Sequence, residues 1–209
     1  MFFEYLPLIT SVTFMLLLGL ISPGPDFFMV IKQSLTYSRK TGIYTAIGLG
    51  AGVATHITYC LTGIALLISK SILLFNIIKI LGALYLFYIG FQIFFSKPEK
   101  ITINHCNKKE DISALQAFKI GFLTNILNPK VTLFYISVFT VFIPETTPPS
   151  ILLIISIIMI SMNILWSVCV AIFFTQPKVQ TAFNRLQKYF NKVFGGILMA
   201  LGVKIATSE

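Results

Sequence analysis

Six apolar stretches, at roughly residues 7–31, 42–69, 72–95, 115–143, 149–175 and 193–206, fill most of a chain of 209 residues. A helix needs about 20 mainly apolar residues to cross a bilayer. The first five stretches have that length, and the sixth reaches it by borrowing Tyr189 and Phe190. With 56% hydrophobic and 11% charged residues and a mean hydropathy of +0.87, the chain is too apolar for the interior of a soluble domain of this size. The sequence predicts an all-α integral membrane protein of six transmembrane helices, a single transmembrane domain over 1–209. The first stretch does not read as a secretory signal, since its start carries Glu4 and no Lys or Arg and its apolar run continues. The cysteines, Cys60, Cys106 and Cys169, are odd in number, and two lie inside helices, so no disulfide framework is expected.

The formal charge of +9 is distributed by topology. Lys32, Arg39 and Lys40 follow the first stretch, Lys97, Lys100, Lys108 and Lys109 the third, and Lys178, Arg185, Lys188 and Lys192 the fifth. Eleven of the sixteen basic residues thus fall in alternate connections. The positive-inside rule assigns those connections to the cytoplasm and both termini to the outside. The excess charge therefore argues for no nucleic-acid partner.

The polar connection 96–114 divides the chain into a repeat of about 1–98 and one of about 115–209, with three helices each. Three is odd, so the second set enters the membrane inverted, a common plan for carriers. GALYLFYIGFQI (82–93) and GGILMALGVKI (195–205) close the two sets with similar glycine-containing runs. The opening helix of each set is broken, the first at Ser22-Pro23-Gly24-Pro25 and the fourth at Asn128-Pro129. Proline removes a backbone donor and stops a helix, yet suits the first position of a new helix after a Ser or Asn cap. Unpaired backbone at membrane depth survives only inside protein or beside a wet cavity, so paired breaks point to a central binding site. Prolines that merely kink their helices are the plainer alternative.

Of the seven acidic residues, only Asp26 lies within a span. An aspartate at mid-membrane costs about 2.5–3.5 kcal/mol and needs a partner or a function. Lys130 is its basic counterpart immediately after the second break. Together the two suit a zwitterion, and Asp26 is the natural proton-coupling group; a structural ion pair is the other reading. Asn128 is expected as a cap and Asn125 as either a ligand or a cap. His56 and Cys60, four apart on one helix face, suggest a packed histidine or, less simply, half of a soft-metal site. Gly48-Leu49-Gly50-Ala51-Gly52 reads as a close-packing face, and Asn163 and Trp166 as interhelical glue and a packing aromatic.

SPGPDFF in the first helix and GFLTNILNPK in the fourth resemble the two signature breaks of the LysE/RhtB family of bacterial amino-acid exporters. The chain is most similar to the threonine/homoserine efflux branch. YSRK after the first helix, SVF at 137–139 and RLQKYFNKVFGG before the last helix extend the resemblance over essentially the whole chain. It implies a six-helix carrier of the bacterial inner membrane that exports small amino acids, driven by the proton gradient. The implied site is Pro23, Gly24, Pro25, Asp26, Asn125, Asn128, Pro129 and Lys130, with Ser22 completing the first break. The implied partners are a small amino-acid substrate, a coupling proton and membrane lipid; a homo-oligomer is left open, and no cofactor or resident metal is implied. The alternative transporter is an exporter of metal or other cations using Asp26, His56 and Cys60. No nucleotide-binding loop is present. A membrane enzyme would need a nucleophile with its base or a ligand set, which the sequence does not offer. A purely structural subunit would have no use for matched charged breaks.

Overall fold

The computed structural model describes residues 2–97 and 109–207, in which every regular element is helical. A 3-10 turn, Phe2–Tyr5, leads into α1 (Leu6–Ile21), α2 (Pro25–Thr36), α3 (Arg39–Lys70) and α4 (Ile72–Phe95). After the connection come α5 (Ala114–Ile126), α6 (Pro129–Phe142), α7 (Pro149–Phe173) and α8 (Pro177–Thr207). Among the described residues three helical segments are long and apolar enough to cross a membrane: Phe3–Ile21, Asn76–Phe95 and Pro149–Phe173. A fourth span arises if α5 and α6, bent by 61° at their break, count as one. Helices α3 and α8, with 32 and 31 residues, have the length to cross but carry more polar residues. The chain is a multi-pass membrane protein.

The stretch expected as a short last span is only the second half of α8. The helix begins sixteen residues earlier, at Pro177. Its first half looks like a loop by hydropathy, yet Gln180, Phe183, Gln187 and Asn191 recur at helical spacing and are all buried. Gln180 Nε2 donates to the Phe174 carbonyl at 2.5 Å, and Asn191 Nδ2 to Ser96 Oγ at 2.8 Å. Lys178, Arg185, Lys188 and Lys192 occupy the exposed face. A helix that buries amides gives no apolar signal.

Glycines set how closely the helices approach. A Cβ on Gly48 would overlap the Phe118 carbonyl, and one on Gly121 the Thr45 carbonyl, so α3 and α5 touch backbone to backbone. Helices α4 and α8 meet the same way: a Cβ on Gly90 would lie 2.7 Å from the Met199 nitrogen, and one on Gly195 2.5 Å from that of Phe94. Lipid tails are as apolar as leucine, so pairing of apolar surfaces gains little there. Close backbone approach gains dispersion contacts instead. Around these seams Val12, Met15, Leu16, Val53, Leu86, Val138, Met159 and Leu198 form the largest buried cluster.

Connections that carry basic residues gather at one end of the bundle. Ser38 Oγ and Thr41 Oγ1 donate to Asp111 at 2.8 and 3.1 Å, and the Lys109 N–H donates to the Thr36 carbonyl at 2.9 Å. Arg39 Nε donates to Thr175 Oγ1, beyond the end of α7, at 3.0 Å. Lys100, Cys106 and Lys108 lie outside the described residues.

Candidate functional site

Both breaks produce a helix that starts at a proline and carries a charged residue next. In the second, Asn128 is the N-cap of α6, and its Oδ1 accepts from the Lys130 N–H at 3.1 Å. Pro129 takes the first helical position, where its missing N–H costs nothing. The first break departs from the expected Ser22 cap. Helix α2 begins at Pro25, not Pro23, with Gly24 as N-cap at φ −152° and ψ −175° and no side-chain cap. The residue before a proline is pushed out of the α region, so Pro25 forces Gly24 to be extended and delays the helix by two residues. Ser22 instead ends α1.

The four polar residues expected at the site come together. Asp26, in the first turn of α2, accepts from Asn125 Nδ2 at 2.6 Å and from Asn128 Nδ2 at 3.0 Å, one bond per carboxylate oxygen. The first-turn amides of α2 add a favourable field for the negative charge. Lys130, in the first turn of α6, receives the opposite field and sends its ammonium to Ser22 Oγ at 3.3 Å. Among the described residues Asp26 and Lys130 therefore have separate partners and form no direct ion pair. Both charges line one cavity of about 90 Å³, together with Asn125, Asn128 and, from α7, Asn163 and Trp166. A buried water needs about 10–15 Å³ by the same measure, so the space would hold about six to nine waters, room for a small organic molecule.

Three contributors were not legible as site residues. Asn163 and Trp166, expected as glue and packing, line the cavity wall. Asn163 also has a buried Oδ1 without a hydrogen-bond partner, a signal that only the structure provides. Gly52, expected only as part of a packing face, lies against Asn125: a Cβ there would come within 2.5 Å of Oδ1 and 2.8 Å of Cβ. The missing Cβ makes room for the amide that holds Asp26.

His56 is buried, and both of its ring nitrogens are engaged. Nε2 faces the Asn125 carbonyl at 3.2 Å, and Nδ1 faces the Tyr59 hydroxyl. A carbonyl can only accept, so Nε2 carries the proton, and in the neutral ring Nδ1 accepts from Tyr59. The Asn125 carbonyl is the one whose usual partner four residues on would be Pro129, which has no N–H. That carbonyl accepts from the Asn128 N–H at 3.0 Å instead, and His56 gives it a second donor. Cys60 is buried and free, and among the described residues no three of His, Cys, Asp and Glu are grouped as a metal would require.

A second cavity of about 400 Å³ adjoins the first. The two share Ser22, Gly24, Pro25, Ile93 and Lys130, and the second extends to Gln92, Ser96, Lys97, Gln187 and Asn191. It leads from Lys130 toward the end of α4 that bears Lys97.

Comparison with known proteins gives the chain a family. The family model described as LysE type translocator matches residues 17–209. The uncharacterized membrane protein YrhP of Bacillus subtilis (strain 168) is 31% identical over 195 residues, covering 90% of this chain and 93% of its own. The threonine efflux protein of Escherichia coli (strain K12) is 28% identical over 205 residues, 98% of this chain and 100% of its own. The uncharacterized membrane protein YahN of the same strain is 29% identical over 186 residues, 88% of this chain and 82% of its own. No solved structure matches the chain. With the match running from within α1 to the last residue and taking in both broken helices, the chain belongs to the LysE type translocator family.

Proposed function

We propose that this protein exports a small neutral amino acid of the threonine and homoserine kind across the bacterial inner membrane, as a proton-coupled secondary carrier working by alternating access. The observation that carries the reading is a carboxylate and an ammonium, each with its own neutral partners, lining one small cavity at two helix breaks. An amino-acid zwitterion offers the complementary pair. Lys130 takes the substrate carboxylate, and Asp26 its ammonium through a charge-assisted hydrogen bond. Asp26 is also the group that exchanges the coupling proton. Relatives named threonine efflux protein support the substrate class. The cation alternative is weaker, because both His56 nitrogens are already occupied.

The six-span inverted plan is part of the same proposal, with α1 plus α2 and α5 plus α6 each forming one broken span. It is supported by the like construction of the two breaks, each with proline first and a charged residue second, and by the packing of α4 on α8, the closing helices of the two sets. The basic end of the bundle faces the cytoplasm, and the larger cavity is the inner approach to Lys130.

Two experiments test these statements. In cells loaded with a threonine-containing dipeptide, expression should lower intracellular threonine or homoserine and raise it in the medium, against an Asp26→Asn control. Unchanged amino-acid pools together with a gain in metal resistance would favour the cation exporter. For orientation, single cysteines placed in a cysteine-free background at the exposed positions 40, 188 and 145 are read with an impermeant thiol reagent. Positions 40 and 188 should label only from the cytoplasmic side and position 145 only from outside. Labelling of position 40 from outside would reverse the assigned topology.

A further inference from the structure

Four residues of α7 that line the smaller cavity, Asn163, Trp166, Ser167 and Val170, are spaced i, i+3, i+4 and i+7 and so form one face. Asn163 is 5% exposed, and its Oδ1 has no hydrogen-bond partner. A buried acceptor left unpaired costs about 1–3 kcal/mol. The cost is removed when a molecule entering the cavity brings a donor. Two other cavity residues hold unpartnered polar atoms: Asn125 Oδ1, which is pressed against Gly52, and the Tyr135 hydroxyl on α6, which can donate as well as accept. Asn163 Oδ1, which can only accept, is therefore the unpartnered acceptor that the α7 face offers to a donor on an occupant.

We propose that Asn163 reads the substrate's side chain, accepting a hydrogen bond from a side-chain hydroxyl, so that the cavity selects small hydroxyl-bearing amino acids over aliphatic ones of the same shape. The inference rests on the amino-acid-export reading above. Two attachment points are already assigned there. The substrate ammonium goes to the charged Asp26, which outcompetes a neutral amide for it, and the carboxylate goes to Lys130. These two contacts fix the common part of any amino acid and leave only the side chain to reach α7. The rest of that face is Trp166, Val170 and the short Ser167 side chain, so a methyl in place of the hydroxyl would suit the two apolar residues and would leave the Asn163 acceptor unpaired. Sites built to hydrogen-bond a substrate hydroxyl reject the analogue lacking it far more strongly than apolar pockets reject an added hydroxyl.

Threonine and valine share a shape and differ by that one group, which makes them the probes. The full-length protein, purified and reconstituted in proteoliposomes, is assayed for efflux of preloaded labelled threonine and labelled valine, with other small amino acids as a panel. The wild type should move threonine at least about tenfold faster than valine. Asn163→Leu should lower that ratio by about tenfold or more, mainly through a gain in valine efflux, which a misfolded protein cannot produce. If Asn163→Leu does not yield folded protein by gel filtration, Asn163→Ala is read by the same ratio. An unchanged threonine-to-valine ratio in the variant, with efflux intact, overturns this inference alone and leaves Asn163 served by water. A wild type that moves every amino acid of the panel equally well also overturns it while sparing the exporter reading. A wild type that moves none overturns both.

Discussion

Asp26→Asn is expected to leave the protein folded in the membrane and to abolish proton-driven export, because an amide cannot exchange the coupling proton; loss of the charged hydrogen bond alone would weaken substrate binding by about 10- to 100-fold. Tolerance of the change follows from the two asparagines. The new amide must offer its nitrogen to one of them and its oxygen to the other. Asn128 cannot turn over without giving up the cap bond that its Oδ1 accepts from the Lys130 N–H. Asn125 can, since its Oδ1 has no partner to lose. The variant side chain therefore fits with its oxygen toward Asn128 and its nitrogen toward a rotated Asn125, and only the charge disappears. Export is measured in the loaded-cell assay and folded protein by gel filtration of detergent extracts. A structural ion pair predicts the opposite pattern, with poor recovery of each single variant and rescue in Asp26→Asn/Lys130→Gln. Full export by that double variant would end the substrate-site reading.

The largest structural effect is expected at the seam between α3 and α5. Ordinary overpacking costs about 1–3 kcal/mol because neighbouring side chains can turn aside. At Gly48 and Gly121 the colliding atoms are backbone, at Phe118 and Thr45 respectively, so relief requires the helices to part. Gly48→Leu and Gly121→Leu should each yield little or no folded protein. Gly63, on the same helix α3, has nothing within 4 Å of the added carbon, and Gly63→Leu should accumulate like the wild type. Recovery of all three variants at similar levels would show that α3 and α5 are not in backbone contact.

The breaks were legible in the sequence because proline acts locally: it lacks a donor wherever the chain goes, and Asn128-Pro129 caps and starts a helix as its composition dictates. The bounds of α4 and the start of α7 follow from hydropathy for the same reason, since each is apolar on nearly every face. The first break was misread by two residues because the effect of Pro25 on Gly24 competes with the Ser22 cap, and the steric term prevails. The early half of α8 escaped notice because its buried positions include Gln180, Gln187 and Asn191, and Gln180 and Asn191 find their partners at the ends of other helices. Within the site, Asp26 and Lys130 stand out as the charges beside the two breaks. Asn163 and Gly52 do not, because their roles depend on which helices become neighbours. A buried amide lacking a partner and a glycine pressed on an asparagine are properties of the packed molecule alone.

Each glycine seam joins a helix made early to one made late. Gly48 leaves the ribosome about 70 residues before Gly121, and Gly90 about 100 residues before Gly195, which at about 5–20 residues per second is a delay of about 4–20 s. For that interval the small-residue strips of α3 and α4 lack the helices that meet them at backbone distance, α5 and α8. The early helices thus wait as a template on which the late ones close, α5 first and α8 last. A nascent chain stalled after residue 97 would display two empty grooves, the surface that a membrane insertase or a quality-control protease would meet.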